Sequence, residues 1–173
     1  TVGAANIWSR RICKEVENSL QAGRRAEQIS SQSFDVNSSM SRLISEVSVI
    51  KPKTVMITHG ANLGLTQENA NRTIEYLQNL GIESIYFNHC WRWKSAFEQL
   101  HPDKYEEYQN IYETCEKKYN ISTVRFDLAT SINGNIENGT DESLYHDNVH
   151  LNINGNNASY KQVHIDCPEL FKL

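Results

Sequence analysis

Residues 54–64 read TVMITHGANLG, in which a short run rich in β-branched side chains passes directly into a loop. Such a run, followed by glycine, is typical of a buried strand of a parallel sheet. The side-chain amide of Asn62 then lies just beyond the carboxyl end of the strand. Open α/β sheets bind their ligands at that edge. The stretch therefore predicts an α/β fold with a polar group at the ligand-binding edge.

Helical and strand patterns alternate on both sides of this stretch. Apolar residues at helical spacing predict helices over residues 8–20, 35–50 and 70–80, and Gly81 ends the third. A second strand is predicted over residues 82–87. This order of elements indicates parallel βαβ units with helices on both faces of the sheet.

The remaining elements follow the same alternation. We predict a loop over residues 88–101, a helix from 102 to 119 whose tyrosines face the core, and a strand over 122–128. A loop rich in glycine and asparagine follows over residues 129–145, and a last helix over 154–163.

A second polar motif stands near the C-terminus, where residues 147–152 read DNVHLN. Asp147 comes three residues before His150, so its carboxylate can orient the imidazole on one short turn and stabilise the charged ring. A general base needs this pairing. By itself the pattern also fits a polar loop whose side chains only form hydrogen bonds within the loop.

The two motifs together resemble those of the SGNH (GDSL-like) hydrolases. Gly-x-Asn at residues 60–62 and Asp-x-x-His-Leu-Asn-x-x-Gly at residues 147–155 occur in the order and at the separation found in that family. The resemblance implies one domain over residues 1–173. Its expected fold is a three-layer α/β/α sandwich, flavodoxin-like, around a central parallel sheet of about five strands.

The chain departs from the family pattern at three places. Residues 1–3, TVG, resemble the end of the opening Gly-Asp-Ser motif, so the nucleophilic serine and the first strand are expected upstream of residue 1. The glycine of the second motif falls on Ser31. The residue after Asn62 is Leu63, where aspartate is common.

The resemblance implies a serine ester hydrolase that needs neither a cofactor nor a metal. We expect His150 to act as the general base and Asp147 to orient it. We expect Asn62, Ser31 and Gly60 to supply the oxyanion hole. The expected substrate is a small-molecule or carbohydrate O-acyl ester, such as an O-acetyl group.

An aromatic pair in the loop after the second predicted strand is a candidate substrate wall. Trp91 and Trp93 flank Arg92 at the carboxyl end of that strand. The competing interpretation is that the two rings pack against the next helix. His89, just before them, fits a hydrogen-bonded structural residue better than a ligand or base.

Three other functions stay open at this point. An O-acyltransferase would use the same residues, and a binding module of the same fold could have lost catalysis. A metal-dependent hydrolase would use a histidine and carboxylate cluster, for which the candidates are His146, Asp147, His150, His59 and His89.

Composition narrows the partners. The chain has 173 residues, a formal net charge of −4 and no basic stripe, so nucleic acid is not an expected partner. No apolar run reaches the length of a membrane span. Four dispersed cysteines form no metal or redox motif, and we expect buried or free thiols. The sequence leaves the oligomeric state open, and both secreted and cytoplasmic locations are compatible with it.

Overall fold

The computed structural model of the protein describes residues 8–16, 47–59 and 64–171. Its residues group into two compact units. Unit 1 comprises Thr1–Gly23, Cys90–Tyr105 and Val124–Leu173, and unit 2 comprises Arg24–His89 and Glu106–Thr123. The expectation of a single domain over residues 1–173 stays a prediction, and each unit is described by itself below.

The described ranges contain helices, two paired strands and short 3₁₀ turns. The helices are α1 (Trp8–Glu15), α2 (Gln67–Asn79), α3 (Ser95–Leu100), α4 (Lys104–Tyr119), α5 (Phe126–Ala129) and α6 (Ile153–Asp166). The strands are β1 (Thr54–Thr58) and β2 (Ser84–Asn88). The 3₁₀ turns are Ile132–Gly134, Ile136–Asn138, Glu142–Leu144 and Pro168–Phe171. Residues 47–50 are also helical.

Unit 2 is built on the βαβ arrangement predicted from the sequence. Strands β1 and β2 pair in parallel, from Thr54 opposite Ser84 to Thr58 opposite Asn88. Helix α2 connects them, and β2 is buried from its second residue onward. The predicted parallel βαβ unit is confirmed. The sheet of about five strands stays a prediction, since the described residues form a two-stranded sheet.

Helix α2 follows from local sequence signals. The Thr66 hydroxyl caps it by accepting from the Asn69 N–H at 3.2 Å, and Gly81, at φ +76°, ends it in the left-handed region. Ala70, Ile74 and Leu77 form its buried face. Leu80, which was predicted on that face, is 40% exposed because the helix has already ended there.

Helix α4 turns most of its predicted stripe inward, but Tyr119 is only partly buried and its hydroxyl donates to Glu75 at 2.6 Å. Tyr108, Ile111, Tyr112 and Cys115 are each at most 5% exposed. The spacing of these residues is three or four positions, which places them on one face of the helix. This face forms much of the core of unit 2.

The strand predicted over residues 122–128 is wrong. Ser122 forms a parallel bridge to Tyr86, and Arg125 also stands in a β-bridge, but residues 126–129 form helix α5. The Arg125 N–H donates to the Asp166 carboxylate at 2.7 Å, at the point where the bridged segment passes into the helix. The side chain of Arg125 also pairs with buried Asp127 at 2.7 Å.

Unit 1 contains the packing of α1 against α6. The Trp8 N–H donates to the Asn156 side chain at 3.2 Å, and the Trp8 ring lies 4.7 Å from that of Phe126. The buried residues of α6 include Gly155, Ser159 and Val163. The predicted last helix is confirmed, and it extends to Asp166. Residues 17–20 of the first predicted helix and 35–46 of the second lie outside the described ranges.

The remaining composition-based expectations concern thiols and membrane spans. Cys13, Cys90, Cys115 and Cys167 form no disulfide with one another, and the last three are buried. Within residues 8–16, 47–59 and 64–171, no helix combines the length and the hydropathy that crossing a bilayer requires.

Gly155 is required by close packing. A Cβ atom at this position would lie 2.3 Å from the Leu144 carbonyl oxygen and 2.9 Å from the Leu151 side chain. We predict that Gly155→Ala lowers the free energy of unfolding by about 1–3 kcal/mol, the usual range for overpacking. Urea unfolding followed by circular dichroism measures the change.

Asn154→Ala, one position earlier on the exposed side of α6, is the matched control and should change stability little. Equal stabilities for wild type and Gly155→Ala would contradict the close approach of residues 144 and 155.

Candidate functional site

The Asp147–His150 turn lies in unit 1 between the 3₁₀ turn Glu142–Leu144 and helix α6. An antiparallel bridge joins Tyr145 to Leu151 at its base. Inside this bridge, the His146 N–H donates to the His150 carbonyl at 2.7 Å. The turn is therefore a closed loop with a defined backbone.

One carboxylate organises the interior of the turn. Asp147 Oδ1 accepts from the backbone N–H groups of Val149, at 2.9 Å, and His150, at 2.8 Å. Asp147 Oδ2 lies 2.8 Å from His150 Nδ1. With the Nδ1 proton directed at the carboxylate, Nε2 carries the ring's lone pair, which is the tautomer of a general base.

The electrostatics of the pair keep the carboxylate charged. Desolvation raises the pKa of Asp147, but the hydrogen bonds from the Val149 and His150 N–H groups and from the imidazole together outweigh it. The net pKa lies well below the ordinary value for aspartate. The side chains of Asp147 and His150 are 49% and 58% exposed, so the pair is open to a solvent-borne ligand.

Helix α6 holds the base of the turn through Asn152. The side-chain oxygen of Asn152 caps the helix by accepting from the N–H groups of Asn154 and Gly155, at 2.8 and 3.1 Å. Its side-chain nitrogen donates to the Ser143 carbonyl at 2.7 Å. One amide thus ties the helix start to the segment before the turn, and the Leu-Asn-x-x-Gly portion of the motif is structural.

The two candidate wall residues differ in their environments. Trp91 is half-buried, and its indole N–H donates to the Val149 carbonyl at 2.8 Å. Trp93 is 1% exposed and contacts Phe97 edge-on, with ring centroids 5.0 Å apart. The expectation that Trp93 lines an accessible wall is therefore corrected, because its ring is part of the core.

Arg92 is engaged within unit 1. Its guanidinium pairs with Glu98 at 3.1 Å, donates to the Ile136 carbonyl and lies over the Tyr105 ring at 4.8 Å. These contacts fix the loop after β2. They leave the side chain in a structural role.

The three predicted oxyanion residues, Ser31, Gly60 and Asn62, lie outside the described residues. The structure describes both ends of the 60–63 segment, which belong to unit 2. The buried hydroxyl of Tyr112 donates to the His59 carbonyl, and that of Tyr108 accepts from the Gly64 N–H at 2.9 Å. Two tyrosines one turn apart on α4 thus hold the residues on either side of the segment.

The metal-dependent alternative finds little support in the described ranges. His89 is 1% exposed, and its ring nitrogens lie 2.5 Å from Gln109 Oε1 and 2.6 Å from Glu116 Oε1. Both nitrogens are already engaged within unit 2. Among the residues that the structure describes, no group of three or more His, Cys, Asp or Glu side chains is arranged to hold a metal ion.

A cavity of about 230 Å³ lies in unit 2, lined by residues 47–48, 51–53 and 80–83. It contains none of the residues that the sequence identified as catalytic, oxyanion-binding or substrate-binding. We assign no catalytic role to it.

Sequence reasoning found the Asp147–His150 pair but not its supports. The bond from Trp91 to Val149 joins residues far apart in the chain, and no local pattern signals it. Asn152 was visible as part of a motif, and its position just before a helical pattern is the signal typical of a capping residue.

Comparison with known proteins gives a likeness of fold. No protein-family profile matches the chain, and no curated protein sequence matches it. A lipase/acylhydrolase from Enterococcus faecalis has a similar structure, with a TM-score of 0.58 and 21% sequence identity over 76% of this chain and 70% of that one. The chain therefore has an α/β fold similar to that of this lipase/acylhydrolase.

Proposed function

We propose that the protein is a serine ester hydrolase of the SGNH type. The observation that carries the proposal is the Asp147–His150 pair. The Asp147 carboxylate binds the imidazole Nδ1 and the backbone N–H groups of Val149 and His150. The fold similarity to a lipase/acylhydrolase supports the same reaction class. An exposed, oriented imidazole on such a fold suits acyl transfer through a covalent intermediate.

The proposed reaction begins with a serine hydroxyl, the nucleophile that the resemblance to the family implies. His150 Nε2 takes the hydroxyl proton as the serine oxygen attacks the ester carbonyl. Asp147 stabilises the imidazolium that forms. His150 then gives the proton to the leaving alcohol, and a water molecule, activated by the same imidazole, releases the acid and regenerates the serine.

The proposed oxyanion hole consists of the Asn62 side-chain amide and the backbone N–H groups at Ser31 and at the nucleophile, with Gly60 in the same loop as Asn62. Such donors act mainly on the charge that develops in the transition state. One of them is typically worth about 3–4 kcal/mol of barrier. Serine at position 31 keeps a backbone donor where the family has glycine.

The proposed substrate is an O-acyl ester, such as an O-acetyl group on a carbohydrate, and an acyltransferase would differ only in its acceptor. Short-chain p-nitrophenyl esters test the reaction on the full-length natural protein. We expect hydrolysis that a serine-directed phosphonate abolishes and that a chelator leaves unchanged. Absence of both hydrolysis and phosphonate labelling would favour the binding module.

His150→Ala should remove most esterase activity, with a fall in kcat of about 10³-fold or more, because the base is lost. The variant should fold normally, since the side chain is 58% exposed. Steady-state kinetics and thermal unfolding measure the two effects.

His146→Ala, on the same exposed turn, is the control and should keep its activity. A metal site that used His146 would lose activity in both variants. Turnover near the wild-type rate in His150→Ala would show that another group is the base.

Asp147→Asn should lower kcat by about 10²- to 10⁴-fold from neutral to mildly alkaline pH, because the amide neither fixes the tautomer nor stabilises the imidazolium. Asp141→Asn, which changes a helix-capping carboxylate in the same loop, is the matched control. Equal kinetics for the two variants would remove Asp147 from the mechanism.

The lowered pKa of Asp147 also predicts how stability depends on pH. The charged carboxylate, with its hydrogen bonds, stabilises the fold above the unfolded-state pKa of aspartate, about 3.9, and that contribution is lost as pH falls towards the lower folded-state pKa. Below about pH 4, wild type should therefore lose stability more steeply than Asp147→Asn. Thermal unfolding at pH 7 and pH 3 makes the comparison.

Asn62→Ala should lower kcat by about 10²-fold with little change in KM, because an oxyanion donor acts in the transition state. Asn79→Ala, at the exposed end of α2, serves as the control. A change confined to KM would assign Asn62 to ground-state substrate binding instead.

A further inference from the structure

The loop after β2 makes two hydrogen bonds to the backbone of the Asp147–His150 turn. The Trp91 indole N–H donates to the Val149 carbonyl at 2.8 Å, and the Lys94 N–H donates to the Asn148 carbonyl at 3.2 Å. Both contacts lie within unit 1. They come from outside the turn, whereas the Asp147 bonds come from inside it.

Together these bonds fix the peptide group that leads into His150. The carbonyl of Val149 accepts from Trp91, while the N–H of His150, on the same peptide, donates to Asp147 at 2.8 Å. A peptide group is planar, so holding its oxygen and its N–H restrains the orientation of the plane. The direction of the His150 Cα–Cβ bond depends on the orientation of that plane.

Burial restrains the imidazole little. His150 and Asp147 are 58% and 49% exposed, so neither side chain is held by burial in the core. Their geometry depends on hydrogen bonds, and within the described ranges the Trp91 side chain supplies one of these bonds from a position remote in sequence. Trp91 is itself half-buried, which limits its motion.

The segment that carries Trp91 is anchored to its surroundings. The Arg92 N–H donates to the Thr130 hydroxyl at 3.0 Å, and the Thr140 hydroxyl donates to the Trp93 carbonyl at 2.5 Å. Trp93 is buried. The indole donor therefore projects from a backbone that is anchored directly after it, as a positioning group requires.

We propose that Trp91 is a positioning residue for the general base: its indole N–H holds the Val149–His150 peptide so that His150 Nδ1 stays on Asp147 and Nε2 points to the reacting atoms. This inference rests on the proposed esterase function. It replaces the role of Trp91 as a substrate wall with a role that acts through His150.

The test removes the indole N–H donor and keeps an aromatic ring at position 91. Trp91→Phe lacks the N–H, and 3-benzothienylalanine at position 91 keeps the shape of the indole while sulfur replaces the N–H. Trp8→Phe is the matched control, because the Trp8 ring packs on Phe126 and belongs to no part of the turn. The half-buried position of Trp91 lets water solvate the Val149 carbonyl, so the variants should fold.

Kinetics on p-nitrophenyl acetate give the first measurement. We expect kcat to fall about tenfold or more in both position-91 variants while KM changes less than about twofold, since a displaced base affects the transition state. Trp8→Phe should match wild type. A rise in KM with unchanged kcat would overturn the proposal and restore the substrate wall, and unchanged kinetics would also overturn it.

The tautomer of His150 gives a second measurement that needs no activity. Long-range ¹H–¹⁵N NMR of the imidazole at alkaline pH should show the Nδ1–H tautomer in wild type, assigned by its absence in His150→Ala. Both position-91 variants should shift towards the Nε2–H tautomer that unrestrained histidine prefers. An unchanged tautomer would overturn the positioning role. A shifted tautomer in a protein inactive on every ester tested would support it while overturning the esterase proposal.

Discussion

The Asp147 carboxylate is the group on which the candidate site depends. It accepts three hydrogen bonds, two from the backbone of its own turn and one from the imidazole of His150. The same interactions lower its pKa, so the charge that orients the ring persists at acidic pH. Because the pair is half exposed, this network of hydrogen bonds gives the imidazole its geometry where packing cannot.

The start of helix α6 extends that network into the fold. Asn152 caps the helix and binds the Ser143 carbonyl, while Gly155 lets the Leu144 carbonyl approach the helix backbone. The turn is thus tied at one end to a helix that is buried along one face. A polar motif of nine residues therefore combines a candidate catalytic pair with the capping and close packing that hold it.

Much of the fold was predictable because its signals are local. The β-branched run of β1, the apolar spacing and glycine end of α2 and the tyrosine stripe of α4 each depend on residues within one element. The predicted strand over residues 122–128 was wrong for the opposite reason. Residues 126–129 form a helix instead, and the Arg125 N–H just before it bonds to the Asp166 carboxylate, 41 positions later in the chain. A tertiary contact of this kind leaves no trace in a short window of sequence.

The sequence by itself determined which residues form the candidate pair, since three positions on one turn suffice to bring a carboxylate to an imidazole. Tertiary structure decided the rest of the arrangement. It buried Trp93 and turned the indole N–H of Trp91 towards the Val149 carbonyl, although the two tryptophans look equivalent in the sequence. The physical reason is that burial and long-range hydrogen bonds depend on which segments meet in space, whereas periodicity and turn chemistry depend only on neighbours along the chain.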